Sequence, residues 1–172
     1  DVKEQKIIEM NWEQSYKNDD LELVCLPARH FSGRGPLNRN STLWSSWAIK
    51  SSAVKIYFSG DSGYGIHLKK IGEEHGPFDI SLIDCGQYNL AWKYSHMFPK
   101  QAVAAAIDLK SKYFMPIHWG GFILALHPWD EPVKESKKFA QERGLNCLTP
   151  KIGSVLSKET LDKKSNDWWE KY

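Results

Sequence analysis

Three short stretches of this chain place a metal-capable side chain where a β-strand would end. They are Pro27-Ala28-Arg29-His30, Ser59-Gly60-Asp61-Ser62-Gly63-Tyr64 and Pro116-Ile117-His118-Trp119-Gly120-Gly121-Phe122. Each comes just after a β-branched or aromatic run and is bounded by Gly, Pro or other turn formers. A strand that stops in such residues delivers its last side chain to the rim of a sheet. One carboxylate with two imidazoles suits a zinc-like ion, and a carboxylate held between two ions can bridge them. The chemistry open to such a set is the activation of water for hydrolysis.

The elements that must position these residues are legible in the pattern. Strand-like runs cover residues 21–26, 42–49, 54–58, 80–85, 113–117 and 153–156. In the second of these, Leu43, Trp44, Trp47 and Ile49 interleave with serines, as expected for a sheet with one face more buried than the other. Helical patterns cover 66–75, 100–112 and 132–143. Ala102, Val103, Ala106, Ile107 and Leu109 make one apolar stripe behind Pro99, which sits at a helix start where a missing N–H does no harm. Pro132 and Gly144 mark the start and stop of the last helix. Strands alternate with helices after Val54, so the expected class is α/β, a sheet covered by helices. The segment 161–172, with Trp168, Trp169 and Tyr172, is expected to be a terminal helix or a loosely docked tail.

Composition narrows the classes further. The 172 residues suit one domain, and 41% hydrophobic with 26% charged residues is ordinary for a globular protein. A net charge of +2 does not by itself support a nucleic-acid partner. Cys25, Cys85 and Cys147 lie in apolar runs without a Cys-x-x-Cys pair and read as reduced core residues. No apolar stretch approaches the roughly 20 residues needed to cross a bilayer, and no signal peptide is visible, so the expected location is cytoplasmic. The eight Trp are more than one such core needs, and some are expected to wait for a partner surface.

Six segments in order, PARHFSGR, STLWSSWAI, YFSGDSGY, GPFDISLIDCGQY, YSHMFPKQAV and PIHWGGF, resemble the metallo-β-lactamase fold hydrolases. Within them the chain is most similar to the branch of the N-acylphosphatidylethanolamine-hydrolysing phospholipase D enzymes and the ascorbate-6-phosphate lactonase-like proteins. The resemblance runs from about Leu21 to about Ser157. It implies the αββα sandwich of that family, here its C-terminal half over residues 1–157, with a mixed sheet, covering helices and a tail over 158–172. The family's first-half His-x-His-x-Asp-His loop has no counterpart. The nearest pair of the six histidines, His67 and His75, is eight positions apart. The chain, which opens on Asp1, is therefore expected to be a C-terminal portion.

The resemblance also implies roles. Asp61 would bridge two metals, His30 would complete the ligands of the first, and His118 would be the last ligand of the second. Two zinc ions are expected, with manganese or iron as alternatives. His96 would contact substrate or transition state, and Asp61 and His96 are the expected catalytic pair. Arg29 and Arg34, with Arg39 and Lys50 flanking the same loop, would suit a phosphate group. Tyr88, Trp92, Tyr94 and His127 would wall the pocket. Plainer readings stand beside these: a helix-capping or turn Asp61, core or loop histidines, and solvated basic residues. With two ligands per ion from this chain against the usual three, the chain alone is expected to hold metal weakly and to be inactive. The expected function is hydrolysis of a phosphoester, phosphodiester or lactone by a metal-activated hydroxide. Expected partners are a small-molecule or lipid-like substrate and the missing N-terminal half, with a homo-oligomer possible. A non-catalytic interaction module and a nucleic-acid-processing hydrolase of the same fold are the alternatives, although no nucleic acid is favoured.

Overall fold

The structure is a computed structural model that describes residues 3, 6–33, 35–122, 124–161 and 167–171. Seven strands form one sheet whose spatial order is the chain order: β1 Ser15–Asn18, β2 Leu21–Pro27, β3 Ser45–Lys50, β4 Lys55–Phe58, β5 Ile80–Asp84, β6 Tyr113–Ile117 and β7 Asn146–Cys147. The first four pair antiparallel and the last four parallel. Parallel neighbours need a crossover, and α1 Ile66–Glu74, α2 Pro99–Asp108 and α3 Glu131–Glu142 supply the three that are required. The mixed α/β sheet with covering helices agrees with the class read from the sequence.

Alternation along the strands sorts the residues between the two faces. Val24, Ala48, Tyr57 and Phe114 stand in one cross-strand row. They pack into a buried core with Leu68 and Ile71 of α1, Ala102, Val103 and Ala106 of α2, and Ala140 of α3. On the other face, Ile80, Tyr113 and Leu148 pack with Leu82, Met115, Leu156 and Leu161 under the C-terminal segment. Further along that face nothing described covers the sheet as fully: Leu23, Trp47 and Ile56 are only half-buried and Phe58 is 37% exposed.

Several boundaries differ from the sequence reading. The strand expected over 42–49 starts at Ser45, because residues before it serve the neighbouring loop: Thr42 and Ser32 exchange hydrogen bonds, and the Trp44 indole donates to the Ala28 carbonyl. No strand forms over 153–156, where Gly153, at φ +85°, sits in a turn closed by Ser154 N–H donating to Lys151. Asn146–Cys147 is the strand beside β6 instead. β1, exposed throughout, carries no apolar alternation that could have announced it. α2 stops at Asp108 rather than running to Lys112, since Lys110 turns left-handed at φ +56° and Ser111 N–H donates back to Ala106. The tail is not loose at its described end. Trp168–Lys171 forms a 3-10 turn, with Trp169 buried, the Trp168 indole donating to Pro150, and both rings packed against Trp119. Among the described residues, no helix is long and apolar enough to cross a membrane.

Candidate metal centre

β2, β4, β5 and β6 all run in the same direction, β2 because it is antiparallel to β3, which is antiparallel to β4. Their carboxyl ends therefore share one rim, the usual location of a site in such sheets. His30 follows β2, Asp61 follows β4, Asp84 ends β5 and His118 follows β6. His96 joins them from the segment between a 3-10 turn, Leu90–Trp92, and α2.

Donor atoms of His30, Asp61 and His96 lie within 4.8 Å of one another, and so do those of Asp84, His96 and His118. The His118 Nε2 to Asp61 Oδ2 separation is 3.8 Å. The His96 ring is 5.3 Å from the His30 ring and 5.3 Å from the His118 ring, centre to centre. His96 is thus the hub between the other two imidazoles. His30 and His96 each have Nδ1 committed to an acceptor: the Phe31 carbonyl at 2.9 Å and the Asp84 carboxylate at 2.7 Å. A carbonyl or carboxylate only accepts, so Nδ1 carries the proton in both rings and Nε2 of the neutral ring is left with its lone pair. Burial acts to lower the pKa of His96, but its hydrogen bond to Asp84 and the charges of Asp84 and Asp61 outweigh it and leave the value raised.

The loops that carry these side chains are fastened to one another. Gly63 N–H donates to the Arg29 carbonyl, and Arg29 N–H donates to Ser62 Oγ, tying the loop after β4 to the loop after β2. Ser62 N–H donates to Asp84, and Asp84 N–H donates to Ser59 Oγ. Gly86 has no room for a side chain, because a Cβ there would stand 1.5 Å from the His118 carbonyl oxygen. That close approach seats the end of β6, where His118 adopts φ +67°, a left-handed conformation uncommon outside glycine.

A family profile described as beta-lactamase superfamily domain matches residues 1–119. The chain belongs to that family. An uncharacterized protein of Mycobacterium tuberculosis is 43% identical over 171 residues, which are 98% of this chain and 45% of that protein. The chain thus spans a little under half the length of such relatives. The N-acyl-phosphatidylethanolamine-hydrolyzing phospholipase D 1 of Caenorhabditis elegans is 37% identical over 123 residues, 67% of this chain and 35% of that protein. Among solved structures, Igni18, a metallo hydrolase from Ignicoccus hospitalis, superposes with a TM-score of 0.67 at 20% identity over 87% of this chain and 59% of its own. The fold is accordingly the metallo-β-lactamase fold.

Within this beta-lactamase superfamily chain, the other residues singled out in the sequence fall into separate groups. The Arg29 guanidinium donates to the Tyr64 carbonyl and lies 4.2 Å from the centre of the Tyr94 ring, so Arg29 and Tyr94 form one unit beside the rim. The Trp92 indole donates to the Gln87 carbonyl. Tyr88 donates to Glu131 and stacks on His127 with ring centres 4.3 Å apart. Neither Tyr88 nor His127 makes a hydrogen bond or ring contact with His30, Asp61, His96 or His118. Tyr88 lines a groove of about 420 Å³ with Phe98, Pro99, Lys100, Glu131, Glu135 and Phe139 instead. Arg34 lies outside the described residues. Lys50 does not flank the His30 loop: β3 runs opposite to β2, so its last residue pairs with Glu22 and His75 at the other end of the sheet. Asp84 was not singled out from the sequence, although Ile-Ser-Leu-Ile-Asp followed by Cys-Gly is the same strand-end signal that marks Asp61.

Proposed function

We propose that this chain supplies part of the active centre of a metal-dependent hydrolase acting on phosphodiesters of phospholipid type, with other phosphoesters and lactones as neighbouring substrate classes. The observation that carries this reading is the convergence of His30, Asp61, His96 and His118 on one rim, with Nδ1 of His30 and His96 tied to acceptors. That arrangement is what a metal-ligating imidazole needs from its surroundings, so the residues fit a divalent ion. His30 and Asp61 would hold one ion and Asp61 and His118 a second, and the mixture of imidazole and carboxylate suits zinc, with manganese or iron as alternatives. Bound metal would supply the Lewis acidity that makes water nucleophilic near neutral pH and that offsets charge developing on oxygen.

The chain's own residues would do the rest. Arg29, held by Tyr64 and Tyr94, would present its remaining N–H groups to a phosphate oxygen. His96 would take or give a proton at Nε2 on the reacting group. The similarity to the C. elegans phospholipase favours a phosphodiester. The half-bare sheet face at Leu23, Trp47, Ile56 and Phe58 favours completion by the other layer of the fold, which would also bring the ligands that this chain lacks.

Asp61→Asn in the protein at its natural full length tests the reading, with bis(p-nitrophenyl) phosphate as substrate and metal content measured by mass spectrometry. An amide cannot supply the bridging charge, so both activity and bound metal are expected to fall away together. Full metal occupancy with retained hydrolysis would sink the assignment.

A further inference from the structure

We infer that Asp84 is a positioning residue of the reaction, fixing the tautomer and the orientation of His96 from beneath the rim. This inference rests on the metal-centre reading above. Asp84 is fully buried, whereas the His96 side chain is 13% exposed, so the pair spans from the interior to the open site. The carboxylate accepts from His96 Nδ1 at 2.7 Å and from Ser62 N–H at 3.1 Å through one and the same oxygen, Oδ2. Asp84 is itself immobilised, since its own N–H donates to the buried Ser59 Oγ at 2.9 Å and β6 flanks it in register at Ile117.

A buried carboxylate needs compensation, and here that comes from backbone N–H and imidazole donors rather than from a Lys or Arg partner. Its charge is therefore directed at His96. Swinging His96 to another rotamer would leave that charge short of a donor in the interior, which costs more than losing an exposed contact. Asp84 also reads out the state of the loop after β4, because Ser62 lies one residue beyond Asp61. One carboxylate thereby ties the imidazole at the centre to the loop that carries Asp61. Acceptors that hold the far nitrogen of a functional imidazole typically change activity or affinity by roughly 10–100-fold when removed.

Asp84→Leu keeps a branched side chain but leaves His96 Nδ1 without an acceptor, whereas an asparagine could still turn its carbonyl oxygen to both donors that share Oδ2. In the full-length zinc-loaded protein, with bis(p-nitrophenyl) phosphate, kcat is expected to fall by roughly 100-fold with KM little changed and metal content retained. The independent readout is the ¹⁵N shift pair of His96 at alkaline pH, where the ring is neutral, assigned by its disappearance in His96→Gln. Wild type is expected to carry the proton on Nδ1, and Asp84→Leu to move it to Nε2. A wild-type ring protonated on Nε2 overturns the inference, as does a tautomer shift in Asp84→Leu that leaves kcat intact. Loss of metal in proportion to activity would make Asp84 a mere prop of the binding site and overturns it as well. Should Asp84→Leu fail to fold, the wild-type nitrogen shifts alone decide. A wild-type protein that takes up no zinc defeats the parent reading instead, and the same shifts still test the pairing.

Discussion

Among the described residues, clusters of three or more imidazole and carboxylate groups occur at two places, the rim with His30, Asp61, His96 and His118, and a second cluster of Glu13, Glu74 and His75. Both satisfy a simple count of donors. They differ in what holds the rings. On the rim, His30 and His96 give Nδ1 to an acceptor, in one case a fully buried carboxylate. In the second cluster Lys50 Nζ stands 3.3 Å from His75 Nδ1 and 3.7 Å from Glu22, while Glu13 faces His75 Nε2 at 3.5 Å. An ammonium group already occupies the place of a cation there. What distinguishes a candidate metal centre is thus the partner of the second ring nitrogen and the burial of that partner; the number of acids and histidines alone does not.

The largest effect should come from disturbing the seat of the rim. Gly86→Ala would put a methyl group 1.5 Å from the His118 carbonyl oxygen and 2.6 Å from Trp119 N, both backbone atoms that cannot rotate away. We expect a loss of about 3 kcal/mol or more in unfolding free energy, together with loss of metal uptake, while the pairing of His75 is unaffected. Denaturant titration and zinc calorimetry on the full-length protein measure the two. Wild-type zinc affinity in a destabilised Gly86→Ala protein would show that the His118 loop is not seated by this contact.

Much of this arrangement was legible beforehand because strand ends announce themselves. Asp61 between Gly60 and Gly63, and His118 before Gly120-Gly121, follow directly from apolar runs that stop at turn formers. α2 was readable from its apolar stripe and its Pro start, and α3 from Pro132 and Gly144 at its two ends. What stayed hidden was cross-strand. Asp84 acquires its role only when β5 lies beside β4 and brings it against Ser59, Ser62 and His96, residues up to 25 positions away. Lys50 was misplaced for the same kind of reason, since proximity in sequence to the His30 loop does not reveal that an antiparallel strand carries it to the far end. Tyr88 and His127 lie close to the motifs in sequence, yet stack on one another.

A third kind of histidine sharpens the comparison. His67, on α1, has a buried Nε2 without a hydrogen-bond partner, and burial together with the nearby Arg29 charge lowers its pKa to about 4. Above its ordinary value of 6.5 the ring is neutral folded or unfolded and contributes nothing to pH dependence. Between that value and about 4 the unfolded chain takes up a proton that the folded chain does not, so stability falls as pH drops through this window. His96 has the opposite sign: its raised value gives stability that is present below the unfolded pKa and lost as pH rises through the folded one. His67→Gln should therefore remove about 1–2 kcal/mol of acid sensitivity, allowing for partial solvent screening. Urea midpoints on either side of the window measure it. Parallel pH profiles for variant and wild type would show that His67 is not held neutral.

The smallest effect belongs to the second cluster, and it decides the comparison most directly. His75→Ala removes the ring between Glu13 and Lys50, a long hydrogen bond to an exposed carboxylate on one side and a lysine contact on the other, and Lys50 keeps Glu22. Pairs of this kind are worth at most about 1 kcal/mol, so the unfolding free energy should shift by no more than that. Zinc stoichiometry, measured calorimetrically in the full-length protein, should equal that of wild type, because no metal was held there. The ammonium group that argues against a metal beside His75 is absent from the immediate partners of His30, so the same substitution at that ring should lower zinc stoichiometry. Loss of one zinc equivalent on replacing His75 would mean that a lysine on Nδ1 does not disqualify a histidine as a ligand. The partner of the second nitrogen would then cease to distinguish the two clusters.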